Sequence, residues 1–258
     1  MKKTFLYTLG SLIIMSSCKK DDALITTPDT NLAYVSFTNV NSSSKSINVF
    51  IDTNKVNATA IGVNATLNGI YAGVPSGTNP LLTRDPSTVI PAIDYYSADI
   101  TVAAGNAYSF FQYGVLTGGT FKGILLNSNR TVSLTSTNAN IRFLNISNAA
   151  PALDFVMVRR EGSTAKDSVV LYSGVPSLAT VSSPDVAALS AYKPVAANKV
   201  ANTIPGVPIS SYILKLKLAG TNTLVSESAA TTIVPGRNYT FYARGTYPAS
   251  VLSTILDN

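Results

Sequence analysis

Side chains able to do covalent or acid–base chemistry are few in this chain. Cys18 is the only thiol among 258 residues, and histidine is absent. Ser-His-Asp and Cys-His nucleophile pairs therefore cannot form, nor can zinc sites built on His or Cys. Thirteen Asp and Glu residues leave hydrolysis by paired carboxylates formally open, but none sits in a recognisable catalytic setting. The combinations Asp94 with Asp99, and Asp52 with Asn54, are too sparse for the oxygen-rich loop that calcium needs. They read as solvated turns. Tryptophan is missing too, which removes the strongest aromatic platform for a sugar or a cation. The expectation is a protein that is not an enzyme, with no catalytic, metal-binding or cofactor-binding residues and no cofactor.

The one reactive position is defined by what precedes it. Lys2 and Lys3, an apolar stretch from Phe5 to Met15 and the small residues Ser16-Ser17 have the layout of a secretory signal over residues 1–17. A cysteine directly after the small residues resembles a bacterial lipoprotein box, which implies that Cys18 is acylated (with palmitate among the chains) and becomes the new N-terminus. Lys19-Lys20-Asp21-Asp22 resembles the surface-export signal of Bacteroidota-type lipoproteins. The implied location is the outer membrane, lipid-anchored and exposed at the cell surface; a charged spacer is the bland alternative for the tetrapeptide. One acyl chain holds a protein marginally, whereas several anchor it stably. The apolar run is too short to be kept as a spanning helix.

Composition narrows the partners. Without residues 1–17 the chain keeps 17 basic and 13 acidic residues, a net +4. The basic residues are scattered, and Arg159-Arg160 is the only basic pair after the tether. Nucleic-acid binding needs clustered phosphate-neutralising charge, so no nucleic-acid partner is expected. No disulfide can form in the mature chain, and the fold must be held by its core.

Residues 18–31 comprise the lipidated cysteine and a flexible tether. About 13 extended residues reach roughly 40 Å, enough to lift the body clear of a lipid surface. From residue 32 short alternating segments punctuated by Gly, Pro and Asn replace it. Residues 33–40 and 46–51 read as strands, with a hairpin turn at Asp52-Thr53-Asn54-Lys55. The text then repeats itself. Residues 37–50 align without a gap on 143–156, Tyr71-Ala72-Gly73-Val74-Pro75-Ser76 on Tyr172-Ser173-Gly174-Val175-Pro176-Ser177, and the segment opening at Gly105 on that opening at Gly236. The offset is 106 at the first block, 101 at the second and 131 at the third, so the second copy carries about thirty extra residues between the last two, placed at roughly 178–210. Two domains are expected, 32–135 and 139–258, joined by Ser133 to Asn138.

Short strands with regular turn signals point to an all-β fold, two tandem immunoglobulin-like antiparallel β-sandwich domains. Tyr108 and Phe110, like Tyr239 and Phe241, alternate with a hydroxyl residue, which assigns each aromatic pair to a core face. Gly105 and Gly236 read as hairpin turns entering those strands. Taken together, the opening Phe-x-Asn strand, the Gly-Val-Pro-Ser segment and the closing Gly-x-x-Tyr-[Ser/Thr]-Phe strand resemble the domain of unknown function 4397 family, in two copies. That resemblance implies a fold and an envelope location, and no activity or site residues.

Functional candidates fall on the faces left over. Tyr95, Tyr96, Phe111, Tyr113, Tyr242 and Tyr247 lie opposite the assigned cores or in loops, where they could stack on a glycan, or be buried if the two domains pack together. Residues 178–210 contain four prolines and, at Val181-Ser182-Ser183-Pro184-Asp185, the signature of a short capped helix. This insert reads either as a functional loop or as a cover for a sheet edge. Asp167-Ser168-Val169 resembles an O-glycosylation motif of Bacteroidota envelope proteins, which marks Ser168 as a possible glycan carrier or an ordinary strand residue. The function expected is a surface-anchored, non-enzymatic binding or adhesion module. Its partners would be the membrane through the lipid, and a glycan or an envelope protein; a structural envelope scaffold is the alternative.

Overall fold

A computed structural model describes residues 31–67, 71–87, 91–197 and 210–257. The signal, Cys18, the Lys19–Asp22 segment and the tether lie outside the described residues, as do Pro205 and Pro208 of the insert. No helix among the described residues is long and apolar enough to cross a membrane.

The N-terminal half forms nine strands: β1 (Leu32–Asn41), β2 (Asn48–Ile51), β3 (Asn54–Lys55), β4 (Ala65–Thr66), β5 (Ala72–Pro75), β6 (Gly77–Arg84), β7 (Asp94–Val102), β8 (Ala107–Thr117) and β9 (Thr120–Ser128). They make an inner sheet β4-β1-β8-β9, with β5 also on β1, and an outer sheet β3-β2-β6-β7. The C-terminal half adds β10 (Asn138–Asn145), β11 (Leu153–Glu161), β12 (Thr164–Val175), the helix α1 (Val186–Ser190), β13 (Lys193–Ala196), β14 (Ser210–Leu218), β15 (Leu224–Glu227), β16 (Asn238–Arg244) and β17 (Val251–Leu256). Its inner sheet is β13-β10-β16-β17 and its outer sheet β12-β11-β14-β15. The fold is therefore all-β, and each half is a sandwich. It is not purely antiparallel: β1 runs parallel to β8, and β10 parallel to β16. The first strand of each half reaches this partner only after the chain has crossed to the other sheet, the long connection that parallel pairing requires.

Period-two alternation builds three cores rather than two. Val35, Phe37, Val49, Leu81, Tyr108 and Phe110 fill the N-terminal sandwich. Ile141, Phe143, Phe155, Leu216, Tyr239 and Phe241 fill the C-terminal one. The aromatic pairs thus face the cores to which their alternation assigns them. The opposite faces of the two inner sheets meet each other: Val40, Phe111, Tyr113, Ile124 and Leu126 pack with Leu144, Ile146, Leu178 and Tyr242. At about 1.5–3 kcal/mol per large apolar side chain buried, this third core fastens the sandwiches into one four-layer stack.

The two halves repeat at the level of single bonds. Asn39 Nδ2 donates to the carbonyls of Lys45 (2.8 Å) and Ile61 (3.1 Å), and Asn145 Nδ2 to those of Pro151 (3.2 Å) and Val175 (3.0 Å). This is the physical content of Phe-x-Asn, a buried amide that closes the turn after the first strand. The Tyr108 hydroxyl accepts from Ala103 N at 2.9 Å, and that of Tyr239 from Val234 N at 3.1 Å. Each tyrosine ties down the corner by which the chain enters its own strand, β8 or β16. Gly105 and Gly236 sit at these corners with φ of +75° and +74°. They do not make hairpins, because the strands on either side belong to different sheets. At Gly236 a Cβ would also lie 1.9 Å from the Ser133 carbonyl oxygen, so the corner accepts only glycine.

One aligned block is not equivalent in space. Val74 lies in β5 beside β1, whereas Val175 ends β12 in the outer sheet. The strand beside β10 that answers to β5 is β13: Val35 faces Ala72, and Ile141 faces Lys193. Tyr192, not Tyr172, is thus the counterpart of Tyr71. The extra residues of the second half are accordingly spread over a longer β11–β12 hairpin, α1 and the segment before β14. The turn at Asp52-Thr53 forms as its sequence requires, with Ile51 facing Asn54.

Candidate functional site

Four of the six aromatic candidates are buried and cannot stack on a ligand. Phe111, Tyr113 and Tyr242 belong to the core between the sandwiches, where the Phe111 and Tyr242 rings meet edge-on at 5.7 Å. Their outward face is real, but the other sandwich covers it. Tyr95 lies in the N-terminal core, its ring edge-on to Phe121 and its hydroxyl donating to Asp85. A bulge explains this: Thr83 faces Tyr96 and Arg84 faces Asp94, leaving Tyr95 unpaired. Alternation breaks there, and both consecutive tyrosines pack against the same core. Tyr247 is half-buried in the turn after β16.

Tyr96 and Tyr113 nevertheless come together. They line a cleft of about 290 Å³ with Lys122, Gly123, Val181, Ser182 and Pro184. Strands β7, β8 and β9 supply one wall, and the insert of the C-terminal half supplies the other. Tyr113 stands directly opposite Lys122 across β8–β9, so both side chains share the face turned toward the second sandwich. Tyr96 closes the side of the N-terminal sandwich by lying on Gly123, where a Cβ would come within 2.6 Å of its ring and 2.8 Å of Phe110. Gly123→Ala is therefore expected to push Tyr96 off β9 and cost about 1–3 kcal/mol, read by chemical denaturation. An unchanged stability would show that Tyr96 does not rest there.

Three features equip the cleft to form hydrogen bonds. Neither the Tyr96 nor the Tyr113 hydroxyl has a hydrogen-bond partner among the described residues, although Tyr113 is only 3% exposed. Burial pushes both hydroxyls up, Tyr113 to about 12 with the Tyr96 hydroxyl adding to the effect. Both are neutral donors at physiological pH. Lys122 Nζ donates to the Ala179 carbonyl at 2.7 Å, which pins its ammonium at the rim. Finally, the N–H groups of Asn127 and Asn129 point off the β9 edge, to Ser190 Oγ (3.1 Å) and the Tyr192 hydroxyl (3.5 Å). By the two-residue alternation of an antiparallel edge, the Gly123 N–H points off the same edge, into the cleft.

The insert that completes the cleft is also an edge cover. Its helix α1 is capped by Asp185, whose carboxylate accepts from Ala188 N at 3.0 Å, one residue after the proline that signals it. Ser190 and Tyr192 then cover the end of β9, and β13 extends the inner sheet at β10.

Toward the C-terminal end of β9 lies a polar network that the sequence does not advertise. Arg142 and Asp257 are both fully buried, with Arg142 Nη2 3.7 Å from Asp257 Oδ1. Arg142 also donates to Thr240 Oγ1 (3.0 Å), Ser128 Oγ (3.2 Å) and the Asn127 carbonyl, so it bridges the two halves. Asp257 Oδ2 accepts from Thr240 (2.6 Å) and Tyr192 (3.1 Å), and the Tyr192 ring lies 4.8 Å from the guanidinium. Burial pushes the Asp257 carboxyl up, while Arg142 and these donors pull it down. The connecting segment is pinned as well. Arg130 sits between the rings of Tyr34 and Tyr71 at 4.9 and 4.8 Å, and Asn238 Nδ2 donates to the carbonyls of Asn129 and Thr131, each at 2.9 Å.

Ser168 is exposed on β12, facing Val158 of β11. This strand borders its sheet, with Val169 and Val170 exposed. A bulge beside Arg159-Arg160 and the ion pairs of Arg159 with Asp167 and Glu161, both 2.8 Å, blunt it against further pairing. Among the described residues no three Asp, Glu or Cys side chains gather into a cation site.

Residues 33–156 match the family described as Domain of unknown function (DUF4397). The matched stretch runs through the whole N-terminal sandwich and ends within β11. No curated protein matches the chain. Among solved structures, a candidate cell adhesion protein from Bacteroides uniformis is similar at 9% identity and a TM-score of 0.20, covering 88% of this chain and 99% of its own. A candidate adhesin from Bacteroides ovatus is similar at 10% identity and a TM-score of 0.18, covering 82% of this chain and 87% of its own. Similarity at that level carries no argument about this protein.

Proposed function

We propose that the chain is a Bacteroidota-type outer-membrane lipoprotein, anchored through acylated Cys18 and displayed at the cell surface, that acts as a non-enzymatic binding or adhesion module. In this reading residues 32–135 and 139–258 are tandem copies of one domain, and the second copy has gained an insert. The observation that carries the binding role is the cleft where β7, β8 and β9 meet that insert, with two tyrosine hydroxyls that make no hydrogen bond among the described residues and a pinned ammonium. Duplication here builds one site from two copies, instead of two weak sites joined for avidity. The packed sandwiches and the pinned connection favour a preformed site, which lowers the ordering cost of binding.

A structural scaffold that partners another envelope protein is the second reading. It draws on β12, whose exposed valines border a sheet, as strand addition would use; the bulge and ion pairs on that strand weigh against it.

The anchor is tested by Cys18→Ser. That variant is expected to keep its far-UV circular dichroism and cooperative unfolding while moving entirely from the membrane to the soluble fraction. Membrane-bound, signal-cleaved protein in the variant would refute the anchor.

A further inference from the structure

We infer that the cleft between β9 and the insert holds an acidic sugar unit, a saccharide ring bearing a carboxylate or a sulfate. This deepens the binding-module reading and rests on it. The lining decides the class of ligand. Each of its polar groups can donate: the Tyr96, Tyr113 and Ser182 hydroxyls (which can also accept), the Lys122 ammonium and, by strand alternation, the Gly123 N–H. Among the described residues no carboxylate lines the cleft, and Lys122 is the one charged side chain that does. A cationic ligand would meet like charge, and a purely apolar one would leave these donors unpaired. An anionic oxygen group satisfies several of them at once through charge-assisted bonds.

The remaining walls suit the rest of a sugar. Tyr96, Val181 and Pro184 offer apolar surface beside the donors, the mixture of apolar lining and a few convergent polar groups that small-ligand sites present. The volume of about 290 Å³ restricts the occupant to a terminal unit or a short stretch of a chain. Tyr113 joins the two parts of the lining: its ring is packed into the seam between the sandwiches, and its hydroxyl, which makes no hydrogen bond among the described residues, is left to the cleft.

The test uses the full-length protein in detergent micelles, titrated by calorimetry with D-galacturonate, galactose 6-sulfate and neutral galactose. At least one acidic sugar is expected to bind about tenfold or more tightly than galactose, and the better of the two identifies the anionic group. Tyr113→Phe, which keeps the packing and deletes the hydroxyl, is expected to weaken that binding about tenfold. Lys122→Gln, at an exposed position, is expected to erase the preference for the acidic over the neutral sugar. The assignment is overturned if none of the three sugars binds, or if galactose binds as well as the acidic pair. It also falls if both variants bind the acidic sugar as the parent does. In that last case the protein still binds, so the module reading survives and only the location fails.

Discussion

Arg142→Ala is expected to lose about 3–5 kcal/mol of folding stability, because removing one partner of a buried ion pair strands the other charge. Arg142 is fully buried and holds Asp257, Thr240, Ser128 and the Asn127 carbonyl together. Among the described residues Asp257 Oδ1 has no hydrogen bond, and Arg142 is the cation beside it. The loss should depend on pH. Burial raises the Asp257 carboxyl, and without Arg142 less opposes that rise. A carboxyl whose folded pKa lies above its unfolded value takes up its proton first in the folded state. Stability of the variant should therefore recover as pH falls through the folded pKa, and level off below the unfolded one. Urea denaturation of parent and variant at pH 7 and near pH 4 measures both effects. A loss under about 1 kcal/mol, or one that grows on acidification, would contradict the role given to this pair.

Phe111→Ala is expected to cost about 3–5 kcal/mol, the usual range for a fully buried phenylalanine. The manner of unfolding is more informative than the size of the loss. Phe111 faces Tyr242 across the junction and not the N-terminal core. Its removal should weaken the seam between sandwiches that are each otherwise intact. The parent should unfold in a single transition, and the variant in two as the halves uncouple. Tyr242→Ala should act in the same way, and the double variant should lose less than the sum of the two single ones, since they share one contact. A variant that loses stability yet still unfolds in one step would show that the halves couple through something other than this seam.

Much of the fold is written locally. Alternation in Tyr108-Ser109-Phe110 and Tyr239-Thr240-Phe241 is enough to assign the core faces, since side-chain direction in a strand depends only on parity. Parity fails where a bulge intervenes, and so Tyr95 turns inward. It also cannot say what covers an outward face: Phe111 and Tyr242 read as exposed because the surface that buries them comes from the other half. The Gly-Val-Pro-Ser block misleads for a related reason. Its residues suit any strand that ends at a turn, and the two copies end different strands. The cleft was half visible, since Tyr96 and Tyr113 are legible as outward aromatics. Lys122 and Gly123 carry no local signal and matter only because β9 places them beside Tyr113 and Tyr96. Arg142 and Asp257 look like ordinary surface charges in the text. The one hint is that Arg142 occupies an apolar-flanked strand position next to Ile141 and Phe143.

Protease accessibility of the protein on intact cells, compared with permeabilised cells, tests the surface-module account most directly. Digestion on intact cells is the predicted result, with the body presented to the medium on its tether. Protection until the outer membrane is permeabilised would place the protein in the periplasm and contradict it.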